Sequence, residues 1–368
     1  MLRENIIKSD SLKEYITEFE KIIIHEQNIA VWGSGRGGVK VLELLKRINW
    51  KGNITFIDSD PSKQSKLYVD MYEVLSPEQF FEQHDADEIW IVISCADVEG
   101  VTETIHKYNQ YDKILGLDVT SIDFDAHPFR YIWDHMEELE DVYALLEDEK
   151  SKKVFSGMLN YRISRNKKYM EGIVDDEKLQ YFDASIIGNN VTRFVDAGAY
   201  IGDTAEKYIE LYGQTYDKIF CLEPDKGSYQ LLCENVKKNN WNRVFTYNIG
   251  LHSKFEKLKF DTITQGGGMS NHVSKDGNVT IDVNRLDAVI NERVDLIKMD
   301  IEGSELEALK GSEQIIKKYQ PALAICIYHK KEDYFAIPKL IHEICPQYKL
   351  YIRQYSFSDA ETILYAVV

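Results

Sequence analysis

Short apolar runs alternate along this chain with stretches whose apolar positions recur every three or four residues, the signature of strands interleaved with helices. Residues 11–27 read as an amphipathic lead-in helix. "NIAVWGSG" then reads as a strand, "GVKVLELLKRI" as a helix and "NITFIDSD" as a second strand. "SPEQFFEQH" starts a helix, with Ser76 at the N-cap and Pro77 at the first helical position. "EIWIVIS" is a nearly continuous apolar run, as a parallel strand buried on both faces requires. "VEGVTETIHKY" and "KILGL" complete a small doubly wound domain over residues 1–125.

Residues 126–185 keep helical spacing, carry abundant charge and hold no glycine before Gly157, which predicts a helical connector. A second β/α series spans residues 186–368. Its strands are "RFVDAGA", "KIFCLEP", "RVFTYNIGL", the expected pair "LKFDTI" and "NVTIDVN", then "VDLIKMDI", "PALAICIY", "KLYIRQYS" and "TILYAVV". The last two are separated only by "FSDAE", so they should close as an antiparallel hairpin. The expected fold is α/β: two tandem Rossmann-like units, the C-terminal one a seven-stranded sheet ending in that hairpin.

Composition narrows the function. Of 368 residues, 44% are hydrophobic and 29% charged, which describes a globular chain. No apolar run is long enough to span a bilayer, and the start lacks a signal-peptide core, so a cytoplasmic location is expected. The formal charge of −17 opposes phosphate backbones, so no nucleic-acid partner is expected. The five cysteines are scattered without a C-x-x-C pair, and no structural metal is expected from them. Cys221 and Cys326 fall inside apolar runs and read as buried small hydrophobes.

Two glycine turns carry the candidate chemistry. Gly33, Gly35 and Gly38 spell G-x-G-x-x-G after a strand, and Asp58 ends the next strand 20 residues after Gly38. This is the dinucleotide fingerprint, yet the domain lacks a second half to carry a nicotinamide pocket. Arg36 inside the turn suits a phosphate. The competing reading is a degenerate fold that keeps its glycines for packing, and Asp58 with Asp60 also has the spacing of a glycosyltransferase metal pair.

The second turn is "VDAGAYIGDT". Asp196 ends a strand, Gly198 and Gly202 line the turn, and Asp203 or Thr204 is placed to cap the following helix. Glu223 ends the neighbouring strand and is placed to accept hydrogen bonds from two ribose hydroxyls. Asp196, Asp203 and Glu223 at one sheet edge disfavour a pyrophosphate and favour a sulfonium cation bearing an amine and a ribose. S-adenosylmethionine is therefore the expected cofactor, and strand-end capping is the competing role for these acids.

The series "FVDAGAYIGDT", "CLEPDKGSYQLLCENV", "LIKMDIEGSELEALKGSEQII" and "ETILYAVV" resembles the FkbM family of S-adenosylmethionine-dependent methyltransferases, over about residues 190–368. The resemblance implies a cofactor site of Asp196, Gly198, Tyr200, Gly202, Asp203, Thr204 and Glu223, with Gly250 and Leu251 near the adenine and Asp300 and Glu302 in the acidic motif. It also implies O-methylation of a sugar hydroxyl, in polysaccharide or glycoconjugate biosynthesis. Asp300-Ile301-Glu302-Gly303 replaces the Asn/Asp-Pro-Pro-aromatic run of base-amine methyltransferases, which fits a hydroxyl acceptor. The segment "FIDSDPSKQSKLYVDMYEVLSPEQ" resembles the small N-terminal domains of bacterial sugar acyltransferases, implying that Gly33, Gly35, Arg36, Gly38 and Asp58 face a nucleotide-sugar.

His329, at a strand end, is the first candidate general base, with Asp300 and Glu302 next. Asp300 and Glu302 could alternatively coordinate a divalent metal with a substrate diol, but two acids two apart on an extended stretch point to opposite faces, so no shared metal is expected there. Helix capping is the competing role for Glu302. The different-class alternatives are an NAD-dependent sugar-modifying oxidoreductase and a non-catalytic scaffold. A homodimer and a small or carrier-linked sugar substrate complete the expectations.

Overall fold

The computed structural model describes residues 1–69, 71–84, 88–95, 97–108, 111–116, 127–261, 272–273 and 277–368. Most of the "TQGGGMSNH" loop and the 125/126 boundary lie outside them. The chain divides into two compact units. One comprises Met1–Glu4, Met136–Gly157 and Met170–Val368, the other Asn5–His135 and Met158–Tyr169.

In the smaller unit the strands are β1 (Asn28–Trp32), β2 (Asn53–Ile57), β3 (Leu67–Tyr68), β4 (Tyr72–Leu75), β5 (Trp90–Ile93) and β6 (Ile114–Gly116). They lie in the order β3-β4-β2-β1-β5-β6, parallel except for the β3–β4 pair. Successive β1 residues serve opposite faces: Ile29 and Val31 join one apolar cluster with Phe19 and Phe56, Ala30 and Trp32 another with Phe80 and Ile91. That alternation is the period of two that a strand covered on both faces imposes. The lead-in helix is Ser11–Ile23, capped by Asp10. Ser76 and Gln79 form a reciprocal capping box before Pro77–Gln83, as the sequence predicts; such a cap contributes about 1 kcal/mol.

The larger unit carries β7 (Arg193–Ala197), β8 (Lys218–Leu222), β9 (Val244–Tyr247), β10 (Gly250–Leu251), β11 (Glu256–Asp261), β12 (His272–Val273), β13 (Val279–Asn284), β14 (Leu296–Met299), β15 (Ala322–Cys326), β16 (Lys349–Gln354) and β17 (Thr362–Val367). Seven of these form one sheet, β16-β17-β15-β14-β7-β8-β9. Only β17 runs against its neighbours, so the closing hairpin is antiparallel as its short turn predicts. Strand order reverses between β7 and β14, and in such sheets ligands bind at the carboxyl ends beside that switch point.

A four-stranded sheet, β10-β13-β11-β12, is inserted between β9 and β14. The expected pairing of "LKFDTI" with "NVTIDVN" is the antiparallel β11–β13 ladder. The run read as one strand, "RVFTYNIGL", is two strands in different sheets. Asn248 turns the chain between them, donating through Nδ2 to the carbonyls of Glu223 and Pro224. No helix among the described residues is long and apolar enough to cross a membrane.

Candidate active site

Turning sharply out of β7, the chain puts Gly198 at φ +77° and Gly202 at φ +95°. A Cβ on Gly198 would stand 1.9 Å from the Asp300 carbonyl oxygen, and one on Gly202 would stand 2.9 Å from Leu232. Both positions therefore need glycine for conformation and for space. Tyr200, between them, is also left-handed at φ +46° and exposed. The helix Asp203–Tyr212 starts from Gly202 with no side-chain cap. The predicted capping by Asp203 or Thr204 is thus corrected. Asp203 is exposed in the first turn, where its charge favours the helix dipole, and Thr204 is buried.

Asp196 does not reach the sheet edge. It is wholly buried, and its Oδ1 lies 3.0 Å from Lys298 Nζ, which also donates to the Gly198 carbonyl at 2.8 Å. Adjacent β7 and β14 put the two residues in register. Burial pushes the Asp196 carboxyl up, and the Lys298 cation opposes that push. Lys298 is held above the ordinary lysine range: burial opposes its charge, but Asp196 and Asp300 outweigh it. The pair fixes the glycine turn from beneath. A lone lysine in the apolar run "DLIKM" was the signal for it, and the sequence reading did not use it.

Glu223 follows β8 and is 7% exposed. Its Oε2 accepts from the Tyr200 backbone N–H at 2.9 Å and its Oε1 from the Asp225 N–H at 2.8 Å. Burial pushes its pKa up to about 7, against those two hydrogen bonds. A carboxylate has about four lone-pair sites, so each oxygen retains acceptor capacity. Beside it opens an apolar cleft lined by Gly198, Leu222, Pro224, Gly250, Leu251 and Ile301, with Phe260, Ile281 and Val283 from the inserted sheet. Gly198, Gly250, Leu251 and the flanks of Glu223 thus converge on one cleft, and Asp196 does not.

After β14 the backbone turns at once. Glu302 and Gly303 are both left-handed, at φ +54° and +89°. The expectation of an extended stretch with its acids on opposite faces is corrected. The turn brings Asp300 Oδ1 to 3.4 Å and Glu302 Oε2 to 3.7 Å from His329 Nε2. Nor does Glu302 cap the next helix, whose N-cap is Ser304; the Ile301 N–H is instead met by Glu305 Oε1 at 2.9 Å. Glu305 is wholly buried, and that oxygen lies 2.9 Å from His329 Nδ1.

Burial alone would lower the His329 pKa, but Glu305, Asp300 and Glu302 outweigh it and raise it to about 9. At neutral pH the ring is a cation. It cannot accept a proton in that state, which revises its assignment as first candidate base. Burial would raise the Asp300 carboxyl, yet Lys298 and His329 hold it below the usual range. Tyr181 donates to Asp300 Oδ2 at 2.8 Å and Tyr328 to its Oδ1 at 3.4 Å. Neither tyrosine was singled out from the sequence, and Tyr181 lies before the motifs begin.

The first glycine turn is built differently. Gly33 is left-handed at φ +116°, and a Cβ on Gly38 would meet the Gly33 carbonyl at 2.6 Å. Gly35 has nothing within 4 Å of that position, and it and Arg36 are exposed at the start of helix Arg36–Arg47. Asp58 serves its own loops. Its Oδ2 accepts from Ser34 N at 2.9 Å, Ser34 Oγ at 2.7 Å and Lys63 Nζ at 3.2 Å, and its Oδ1 from Asp60 N at 3.0 Å. Burial opposes its charge, but those donors hold its carboxyl below the usual carboxylate range. Asp60 accepts in turn from the Ser62 N–H at 2.9 Å.

Strand order, glycine turn and cleft define the larger unit as a methyltransferase-type α/β fold. Residues 196–358 match the model of the methyltransferase FkbM domain. The crystal structure of a methyltransferase FkbM from Methylobacillus flagellatus KT aligns with 98% of this chain and 94% of its own, at 20% identity and a TM-score of 0.76. An rRNA methylase from Streptococcus thermophilus aligns over 50% and 92% of the two chains, at 12% identity and a TM-score of 0.34. Aeropyrum pernix fibrillarin, in complex with S-adenosyl-L-methionine, aligns over 55% and 73%, at 10% identity and a TM-score of 0.33. No curated protein sequence matches the chain.

Proposed function

We propose that this protein is an S-adenosylmethionine-dependent O-methyltransferase acting on a sugar hydroxyl in cytoplasmic polysaccharide or glycoconjugate biosynthesis. The observation that carries the reading is Glu223, a buried carboxylate with spare acceptor capacity beside an apolar cleft and a close-approach glycine turn. These residues fit the cofactor. Glu223 would accept from the ribose hydroxyls, Gly198 would admit the amino-acid tail past a turn that Gly202 completes, and Leu222, Gly250 and Leu251 would cover the adenine. S-adenosylmethionine, when bound, supplies an electrophilic methyl group on a sulfonium.

The protein's own task is to hold one acceptor oxygen in line with that methyl–sulfur bond and to take its proton. With His329 already protonated, the proton acceptors are the carboxylates of Asp300 and Glu302. His329 and Tyr181 orient Asp300. A net charge of −17 supports a neutral sugar acceptor over a nucleic acid.

Incubation with methyl-labelled S-adenosylmethionine and a panel of free and nucleotide-linked sugars tests the reading. Label should enter a sugar as a base-stable ether, and Asp300→Asn should reduce its rate by about 100-fold or more. Hydride transfer from NADH to a sugar, with no label incorporated, would support the oxidoreductase alternative instead. That alternative is disfavoured because Asp58 is already engaged by Ser34, Asp60 and Lys63. For the smaller unit, the open approach to Gly35 and exposed Arg36 support the nucleotide-sugar reading.

A further inference from the structure

The cluster after β14 contains more ligand chemistry than methyl transfer needs. Asp300, Glu305 and His329 each offer one atom, and the three atoms lie within 4.8 Å of one another. Ligands about 2.1 Å from one ion stand roughly 3–4 Å apart, so a small closing movement would bring this set around a cation. Glu305 supplies the independent observation. It is wholly buried, yet its Oε2 makes no hydrogen bond, and His329 Nδ1 also lacks one of good geometry. A buried carboxylate oxygen without a donor is left with its desolvation cost unrepaid. The chain keeps one here, next to an imidazole and a second carboxylate.

We propose that Asp300, Glu305 and His329 bind a first-row divalent cation, Mn²⁺ or Zn²⁺ in kind. An imidazole with two carboxylates suits these ions better than Ca²⁺, which takes oxygen ligands alone. The left-handed turn at Glu302–Gly303 makes the set possible, because an extended chain would separate Asp300 from Glu305. Three protein ligands leave positions for oxygen atoms of another molecule. Ile301, between the ligands in sequence, lines the cleft, so those positions adjoin it. The inference rests on the methyltransferase reading and deepens it: the ion holds the acceptor through one or two sugar oxygens.

The experiment titrates Mn²⁺ into chelator-treated full-length protein, following the free-ion signal by electron paramagnetic resonance. Wild type should bind a single ion, and Glu305→Gln and His329→Gln should each weaken binding by about tenfold or more. Glu313→Gln, at an exposed position on helix Glu313–Tyr319, should leave it unchanged. Spin-echo modulation of the bound ion should show a directly coordinated nitrogen, a readout that survives even if a variant fails to fold. No saturable binding, binding indifferent to both substitutions, or no nitrogen coupling in wild type would each overturn the site. The same preparation is titrated with S-adenosylhomocysteine. Adduct binding without metal binding removes the metal site alone, whereas loss of adduct binding removes the methyltransferase reading.

Discussion

The two glycine turns of this chain share a sequence logic and differ in what their acids are left to do. Asp58, after β2, is met by four donors from its own surroundings, one of them a lysine, and its pKa falls below the usual carboxylate range. Glu223, after β8, receives two backbone N–H groups, and burial raises its pKa to about 7. The first carboxylate is satisfied by the fold. The second is buried, under-served and beside a cleft, the electrostatic state of a group awaiting a ligand. A motif thus identifies a turn, and the donors already spent on its acid indicate whether a ligand is needed to complete it.

The largest expected effect separates the ion pairs beneath the two turns. Lys298→Met leaves Asp196 buried without its cation and should cost about 3–5 kcal/mol of stability. Lys63→Met removes a partner that is 44% exposed and should cost under about 1 kcal/mol. Urea denaturation monitored by tryptophan fluorescence checks both. Next come the glycines. Gly198→Ala should cost on the order of 1–3 kcal/mol from backbone strain alone, with the Asp300 clash in addition. Gly35→Ala, at φ −109° and in open space, meets no clash and should cost only about 0.5–1 kcal/mol, because alanine is a poorer N-cap than glycine. Equal losses at the two glycines would break the comparison.

The smallest effect is the most diagnostic. The folded chain holds the Glu223 proton more tightly than an unfolded chain does. This residue therefore favours the cofactor-free fold at low pH and ceases to do so as pH rises through about 7. Cofactor binding runs the other way, because two ribose hydroxyls need the ionised form. Affinity for S-adenosylhomocysteine should weaken up to about tenfold per pH unit below 7, and Glu223→Gln should flatten that dependence. A wild-type profile flat from pH 5.5 to 8 would contradict the assignment.

Much of this was readable from one sequence, because it depends on local pattern. The seven-stranded sheet follows from alternating apolar periods, and the closing hairpin from the short turn "FSDAE". Glu223 was expected at the sheet edge because strand ends in such sheets converge there, and Gly250 and Leu251 by the family resemblance; Gly198, Gly250 and Leu251 line the apolar cleft beside Glu223. What escaped is set by register and by unusual backbone. Asp196 meets Lys298 only because β7 and β14 are adjacent and in register. Glu302 faces His329 only because a non-glycine residue takes a left-handed conformation, which no periodicity announces. Tyr181 reaches Asp300 from 119 residues away, with no motif around it. The charge state of His329 needed all three of its carboxylate neighbours to be located first.

The most direct test of the central claim is calorimetric titration of the full-length protein with S-adenosylhomocysteine and, separately, with NAD. Glu223→Ala and Gly35→Val are titrated alongside wild type. The account predicts adduct binding in wild type and in Gly35→Val, and an affinity about 100-fold weaker in Glu223→Ala as two charge-assisted hydrogen bonds are lost. NAD binding abolished by Gly35→Val, with no response to the adduct in wild type, would contradict it and move the active centre to the first glycine turn.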